Sequence, residues 1–249
     1  MNNLKSHLKR SRTLRTLGRT IKADINTLRS EGYRLWKSFA RPGKIQNYLL
    51  SHEVKKLHLG AGPNIFEGWL NTDFDPQPDD VIFLDITEPL PFPDQTFDYI
   101  FSEHLIAQVP YKDAIFHLQE CYRILKPGGK IRIATPDIQF LIDIYTAKDK
   151  TEIQKRYIQR IVDADYPEAG FYHATFVVNG CFLGWGVQFI YDAVILQDAL
   201  RRAEFSQITR CAVKESTDSH LYNLEHHGTA ISEEFNTLQT MVFEGSRLD

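Results

Sequence analysis

Cysteine is scarce in this chain of 249 residues, and its three copies, Cys121, Cys181 and Cys211, form no C-x-x-C pair and no metal-ligand spacing. That pattern excludes a disulfide framework and predicts buried thiols in a reducing compartment. No apolar run approaches the roughly 20 residues that cross a bilayer, and no short hydrophobic core follows the basic N-terminus as it would in a secretory leader. The expectation is a soluble, cytoplasmic protein. The third glycine of the dinucleotide fingerprint is also missing: Gly60 and Gly62 are followed by Ile65, which disfavours a dehydrogenase.

Charge is present but unevenly spread. Residues 1–44 hold 12 Lys or Arg against Asp24 and Glu31, a net of +10, so the overall charge of −3 leaves −13 on the rest. Leu4, Leu8, Leu14, Leu17, Ile21, Ile25, Leu28 and Leu35 fall mostly three or four apart, which predicts a basic amphipathic helical arm over 1–44. Its apolar stripe needs a cover. Packing on its own domain, self-association in a homodimer and peripheral contact with an anionic membrane surface all stand open. An organellar transit peptide ranks lower, because the periodicity runs past the usual cleavage range. Nucleic acid is not favoured, since no aromatic stacking platform is interleaved with the charge. Arg41-Pro42-Gly43 is expected to break the arm from a domain spanning 45–249.

That domain is organised around Val54 to Gly62, an apolar run ending in Gly60-Ala61-Gly62, as a buried strand entering a tight turn against a ligand does. Further strands are expected at Trp69–Asp73, Val81–Asp85, Phe97–Ser102 and Lys130–Thr135. Two of them end on acids: Asp73, suited to ribose hydroxyls, and Asp85, suited to an adenine amino group. The proline-rich run Glu88–Asp94 can be neither helix nor central strand. Ile115, Leu118, Tyr122 and Leu125 mark a helix stopped by Lys126-Pro127-Gly128-Gly129, and residues 138–165 read as helical. Polar residues gathered at the carboxyl ends of parallel strands are where open α/β sheets bind ligands.

Leu59-Gly60-Ala61-Gly62, Asp73, Asp85, Leu90-Pro91-Phe92, Phe97-Asp98 and Arg123-Ile124-Leu125-Lys126-Pro127-Gly128-Gly129, in this order and spacing, resemble the class I S-adenosylmethionine-dependent methyltransferases of the small-molecule, type 11 branch. Residues 172–244 resemble more loosely the tail of a subgroup common near polysaccharide and natural-product genes, through Phe189-Ile190-Tyr191-Asp192, Ala203-Glu204-Phe205 and Leu224-Glu225-His226-His227-Gly228. The resemblance implies a Rossmann-like α/β sheet of seven strands, mostly parallel, with the last antiparallel and inserted beside the fifth. Gln207–Val213 and Leu238–Phe243 supply strands six and seven. It further implies S-adenosyl-L-methionine as cofactor. Gly60, Ala61 and Gly62 would face its methionine part, Asp73 its ribose, Asp85 and Ile86 its adenine, and Ser102, Glu103 and His104 its sulfonium.

The Gly60-to-Asp73 spacing is short for this fold, so the helix after strand one must be shortened or absent, with Asn64 and Phe66 as alternative covers. His104 is the first candidate base, with Tyr111 and His173 behind it. Residues 170–191, rich in aromatics, are expected to form a lid over the acceptor. Asp218, His220, Glu225, His226 and His227 lie in a polar loop without helix-spaced pairs, which reads as solvated or substrate-facing side chains, with no metal expected. Relatives with this strand-four signature frequently carry Glu-His where this chain has Ala107-Gln108, and often His where Val187 stands. Three readings follow: methyl transfer to a small-molecule or glycan-like acceptor, a non-methyl-transfer reaction of the same cofactor, or a non-catalytic scaffold.

Overall fold

The structure, a computed structural model, describes residues 41–76, 80–226 and 231–248. Two compact units divide the chain, Met1–Asn47 and Tyr48–Asp249. The expected arm lies outside the described residues except for 41–44, which belong to a helical stretch over residues 41–51. Residues 41–43 are themselves helical, and a break between arm and domain before residue 41 lies outside the described residues. Gly43 does not take the left-handed backbone that ends a helix.

The second unit carries one sheet. Its strands are β1 (Lys56–Leu59), β2 (Leu70–Asp73), β3 (Ile82–Phe83), β4 (Phe97–Glu103), β5 (Leu125–Pro136), β6 (Ser206–Cys211) and β7 (Thr240–Ser246), in the order β3-β2-β1-β4-β5-β7-β6. The first five run parallel, and β7 lies antiparallel between β5 and β6. This is the Rossmann-like class I methyltransferase arrangement that the motifs predict. The helices are α1 (Tyr111–Ile124), α2 (Ile138–Thr146), α3 (Glu152–Asp165), α4 (Ala174–Asn179), α5 (Ala193–Arg202) and α6 (Glu233–Gln239). Leu57, Leu59, Ile100, Phe101, Ile131 and Ile133 are buried along the central strands, as sheets covered on both faces require.

Local sequence explains where the elements differ from expectation. No helix follows β1. The chain turns directly, with Asn64 N–H donating to Ala61 O at 2.9 Å and Ala61 N–H to Thr72 O at 2.9 Å. Lys126-Pro127-Gly128-Gly129 does not form a separate stop, because β5 already begins at Leu125 and the four residues lie within it. Lys126 is fixed there by Asp98, at 2.8 Å from both carboxylate oxygens. The helical stretch expected over 138–165 is made of two helices. Thr151 starts α3 with a reciprocal capping box to Gln154, which satisfies the orphan donors of a new helix start and ends any advantage of continuing α2.

The deepest polar feature is Arg132 on β5, wholly buried. Its Nε and Nη2 donate to the two oxygens of Glu225 at 2.7 and 2.9 Å, and Nη1 donates to Glu244 at 2.6 Å. Burial works against the guanidinium charge, but the two carboxylates outweigh it and hold the group more firmly protonated than usual. Removing one partner strands a buried charge. Glu225→Ala is expected to lower the unfolding free energy by about 3–5 kcal/mol in urea titrations, and adding Arg132→Met to restore part of it. Equal and additive losses in a double-mutant cycle would contradict this coupling.

Candidate functional site

A cavity of about 510 Å³ opens at the carboxyl ends of β1, β2 and β4, within the size range of ligand sites. Gly60, Ala61, Gly62 and Asn64 line it from the β1 turn, Asp73 from the end of β2, Asp85 and Ile86 from beyond β3, and Glu103 and His104 from the end of β4. Among the residues proposed for the cofactor, Ser102 alone is set behind the wall, buried between neighbouring strands.

Each lining group is held by identifiable forces. Gly60 has φ +68, and a Cβ there would meet Leu105 Cδ1 at 3.0 Å, so backbone and neighbour both demand glycine. Gly62, at φ +51, has open space where a side chain would stand, and its N–H donates to Asp73 Oδ2 at 2.8 Å. Asp73 Oδ1 accepts from Asp75 N–H at 2.8 Å. A carboxylate offers about four lone-pair sites, so acceptor capacity remains toward the cavity. Asp85 Oδ1 accepts from both the backbone and the hydroxyl of Thr87.

His104 has φ +54, a strained backbone for a non-glycine residue that costs about 1–3 kcal/mol. The geometry persists because its N–H donates to Ala134 O at 2.8 Å and its ring is tied to α6 and β7. Asn236 Nδ2 donates to Glu103 Oε1 at 2.9 Å, which leaves Asn236 Oδ1 as an acceptor. Thr240 spends its hydroxyl proton on that oxygen, at 2.8 Å. His104 Nε2, 3.3 Å from Asn236 Oδ1 and 3.2 Å from Thr240 Oγ1, is therefore the donor to both. In the neutral ring the basic nitrogen is then Nδ1.

Sequence reasoning missed His58, Phe74, Leu105 and Gln188, which also line the cavity. His58 was the most legible: a polar residue two positions before Gly60 inside an apolar strand. Its Nδ1 bonds Asn71 Oδ1 at 3.0 Å and Phe66 stacks on it at 4.5 Å. Phe66 therefore packs inside the wall with Trp69 and Phe101 and does not line the cavity. Burial pushes the His58 pKa down to about 4.

A second cavity of about 290 Å³ shares His104 and Gln108 with the first. Ala107 and Val187 line it, so the positions where relatives frequently carry ionisable groups converge on one wall. Gln188 N–H donates to Ala107 O at 2.8 Å and pins the 170–191 segment there. Tyr111 and His173 line neither cavity. Tyr111 packs on Phe189 at 5.0 Å, and His173 is an exposed cap whose Nδ1 accepts from Thr175 N–H at 3.2 Å.

In the acidic loop, Asp218 pairs with Lys130 at 2.8 Å and Glu225 is spent on Arg132. His226 N–H donates to Glu103 Oε2 at 3.1 Å, and His227 lies outside the described residues. Among the described residues no group of three His, Cys, Asp or Glu could hold a metal. No described helix is long and apolar enough to cross a membrane.

The cavity's charge narrows what it can hold. Asp73, Asp85 and Glu103 line it, and among the described residues on its wall there is no Lys or Arg. No helix N-terminus follows the glycines to receive a phosphate. A ligand carrying positive charge fits, and a dinucleotide does not. Residues 65–133 match the methyltransferase domain family. Over this stretch the chain is similar to that family.

The chain is 33% identical over 84 residues to a highly reducing polyketide synthase of Aspergillus nomiae, an alignment covering 32% of this chain and 3% of that protein. It is 48% identical over 42 residues to a demethylmenaquinone methyltransferase of a Geobacillus species, 17% of each chain. The chain thus matches only a small part of either relative. A solved S-adenosylmethionine-dependent methyltransferase of Mesorhizobium loti is 16% identical, with 78% of this chain and 91% of that one covered at a TM-score of 0.49. S-adenosylmethionine is the cofactor of this domain class, and the acidic donor set fits its sulfonium and ammonium charges.

His58 and the equally buried His117 on α1, also pushed down to about 4, make stability pH-dependent. Between pH 6.5 and 4 the unfolded chain takes up protons that the folded domain refuses, so stability falls as pH falls. The loss reaches about 3 kcal/mol per histidine at pH 4. Urea midpoints measured across this window are expected to drop, and His117→Leu to flatten the slope. A pH-independent midpoint would refute it.

Proposed function

We propose that this chain is an S-adenosylmethionine-dependent methyltransferase acting on a small-molecule or glycan-like acceptor. The observation that carries the reading is an all-carboxylate cavity rimmed by glycine backbone, joined through His104 to a second, mainly apolar cavity. The cofactor supplies an electrophilic methyl group. Asp73 is placed to accept from vicinal hydroxyls, Gly60 and Gly62 to admit a ligand against the main chain, and Asp85 and Ile86 to flank an aromatic base.

His104 stands on the wall common to both cavities, where a base is needed if the acceptor is a hydroxyl or amine. Asn236 and Thr240 orient its ring, and Glu103 orients Asn236. Tyr111 supports this wall through Phe189, and His173 is left with capping. The 170–191 segment acts as the acceptor lid through Trp185 and Val187. Free thiols at Cys121, Cys181 and Cys211 support a cytoplasmic setting. The +10 charge of residues 1–44 supports peripheral membrane contact or self-association through the arm. Ala107 and Val187, which cannot move protons, favour as a second reading a reaction of the same cofactor other than methyl transfer.

Calorimetry of the purified chain with S-adenosylmethionine and S-adenosylhomocysteine tests the proposal. Both are expected to bind, and Asp73→Ala to weaken binding tenfold or more, the effect of losing hydrogen bonds to a charged group. Mass spectrometry of the spent cofactor separates the readings, S-adenosylhomocysteine marking methyl transfer and methylthioadenosine the alternative. Once an acceptor is found, His104→Ala is expected to lower kcat about 100-fold while cofactor affinity stays. A folded chain that binds neither cofactor form would sink the proposal.

A further inference from the structure

The second cavity is lined by a guanidinium that has no ion-pair partner among the described residues. Along α3, Lys155 pairs with Glu152 at 2.6 Å and Arg156 with Glu234 at 2.7 Å. Arg160, one turn beyond Arg156, lines the cavity and makes no hydrogen bond or ion pair among the described residues. A carboxylate stands on the same wall, yet Asp165 is not its partner. Asp165 Oδ2 accepts instead from Trp185 Nε1 at 3.2 Å. The other polar groups nearby are also spent, with Tyr157 donating its hydroxyl proton to Gln239.

Beside these polar groups the lining includes the apolar side chains of Ala107, Ile161, Val187 and Ile231. Trp185 offers a fixed aromatic face. Its indole sits against Gly180, where a Cβ would come within 3.3 Å of Cζ2, and its N–H is held by Asp165. A guanidinium presents a planar fork of donors matched to a carboxylate or phosphate, and an apolar surround strengthens such a pair. We propose that Arg160 and Trp185 make the second cavity a subsite for an acceptor bearing an anionic group, a carboxylate or a phosphate, on a ring or apolar body. The ring or apolar portion lies against Trp185, the anion meets Arg160, and the acceptor reaches the cofactor cavity past His104 and Gln108. This specificity rests on the methyltransferase reading above.

The test uses the full chain saturated with S-adenosylhomocysteine, whose binding is measured calorimetrically in the same samples. Phenyl phosphate, benzoate and uncharged benzyl alcohol are titrated while tryptophan fluorescence is followed, with Trp185→Phe identifying the signal of that indole. At least one anion is expected to bind saturably, tenfold or more tighter than benzyl alcohol. The ratio of phenyl phosphate to benzoate affinity tells phosphate from carboxylate. Arg160→Gln is expected to abolish the preference for the anion and Arg160→Lys to retain part of it. Arg160 is exposed, so Arg160→Gln should leave the melting temperature and S-adenosylhomocysteine affinity unchanged. If the wild type binds S-adenosylhomocysteine but neither anion, binds the neutral probe as tightly, or keeps its preference in Arg160→Gln, the subsite is overturned while the methyltransferase reading stands. Failure of a folded chain to bind S-adenosylhomocysteine overturns both.

Discussion

The architecture of the site depends on a buried ion cluster outside it. Arg132 and Glu244 face each other across the antiparallel register of β5 and β7, and Glu225 closes on Arg132 from the loop before α6. Desolvating three charges consumes most of what their attraction returns, so the cluster is weak evidence for net stability and better read as a device that sets register. The register it sets is functional. With Arg132 opposite Glu244, Thr240 lies opposite Pro136, and the turn of α6 just before it brings Asn236 to the end of β4. On the loop side, burial of Glu225 places the N–H of the next residue, His226, on Glu103.

How far the chain could be read in advance follows from the range of the forces involved. The parallel strands and the antiparallel last strand were legible because burial on both faces writes largely apolar runs such as Ile131–Ala134, interrupted there only by Arg132. The turn without a helix after β1 was legible as a simple count between Gly60 and Asp73. The division between α2 and α3 was written as Thr151-x-x-Gln154 but was outvoted by an apolar period that both helices happen to continue. Arg132 inside the run Ile131-Arg132-Ile133 announced that a buried charge needed a partner, without saying which acid. The bonds joining His104 to Asn236 and Thr240 span more than 130 positions, and no local pattern encodes them. For the same reason Tyr111 and His173, plausible by type, turn out to serve packing and capping.

The two cavities are chemically opposite, and their shared wall is where the difference matters. One is lined by three carboxylates without a Lys or Arg among its described residues, the other by apolar side chains together with Arg160 and Asp165. On the proposed reading the first cavity favours a cationic ligand, and Arg160, which Asp165 does not pair, favours an anion in the second. His104 and Gln108 line both, and Gln188 donates through Nε2 to Gln108 O at 2.8 Å from the lid side.

The same electrostatics limit what the carboxylates contribute to rate. Methyl transfer from a sulfonium removes a positive charge, so Asp73, Asp85 and Glu103 interact more favourably with the reactant state than with the partly neutralised transition state. Groups that bind the ground state better than the transition state raise affinity and do not lower the barrier. Acceleration must therefore come from elsewhere in the chain. Alignment of the acceptor with the transferred methyl is one source, since holding two reactants in line recovers several kcal/mol of entropy. In the proposed reaction the other is proton removal at His104, whose ring is oriented by bonds reaching back to Glu103. Glu103 thus has a second part to play, as the anchor of Asn236 as well as a wall of the cavity. This accounts for a strained backbone at residue 104: the strain is the cost of turning one histidine onto the wall that both reactants share.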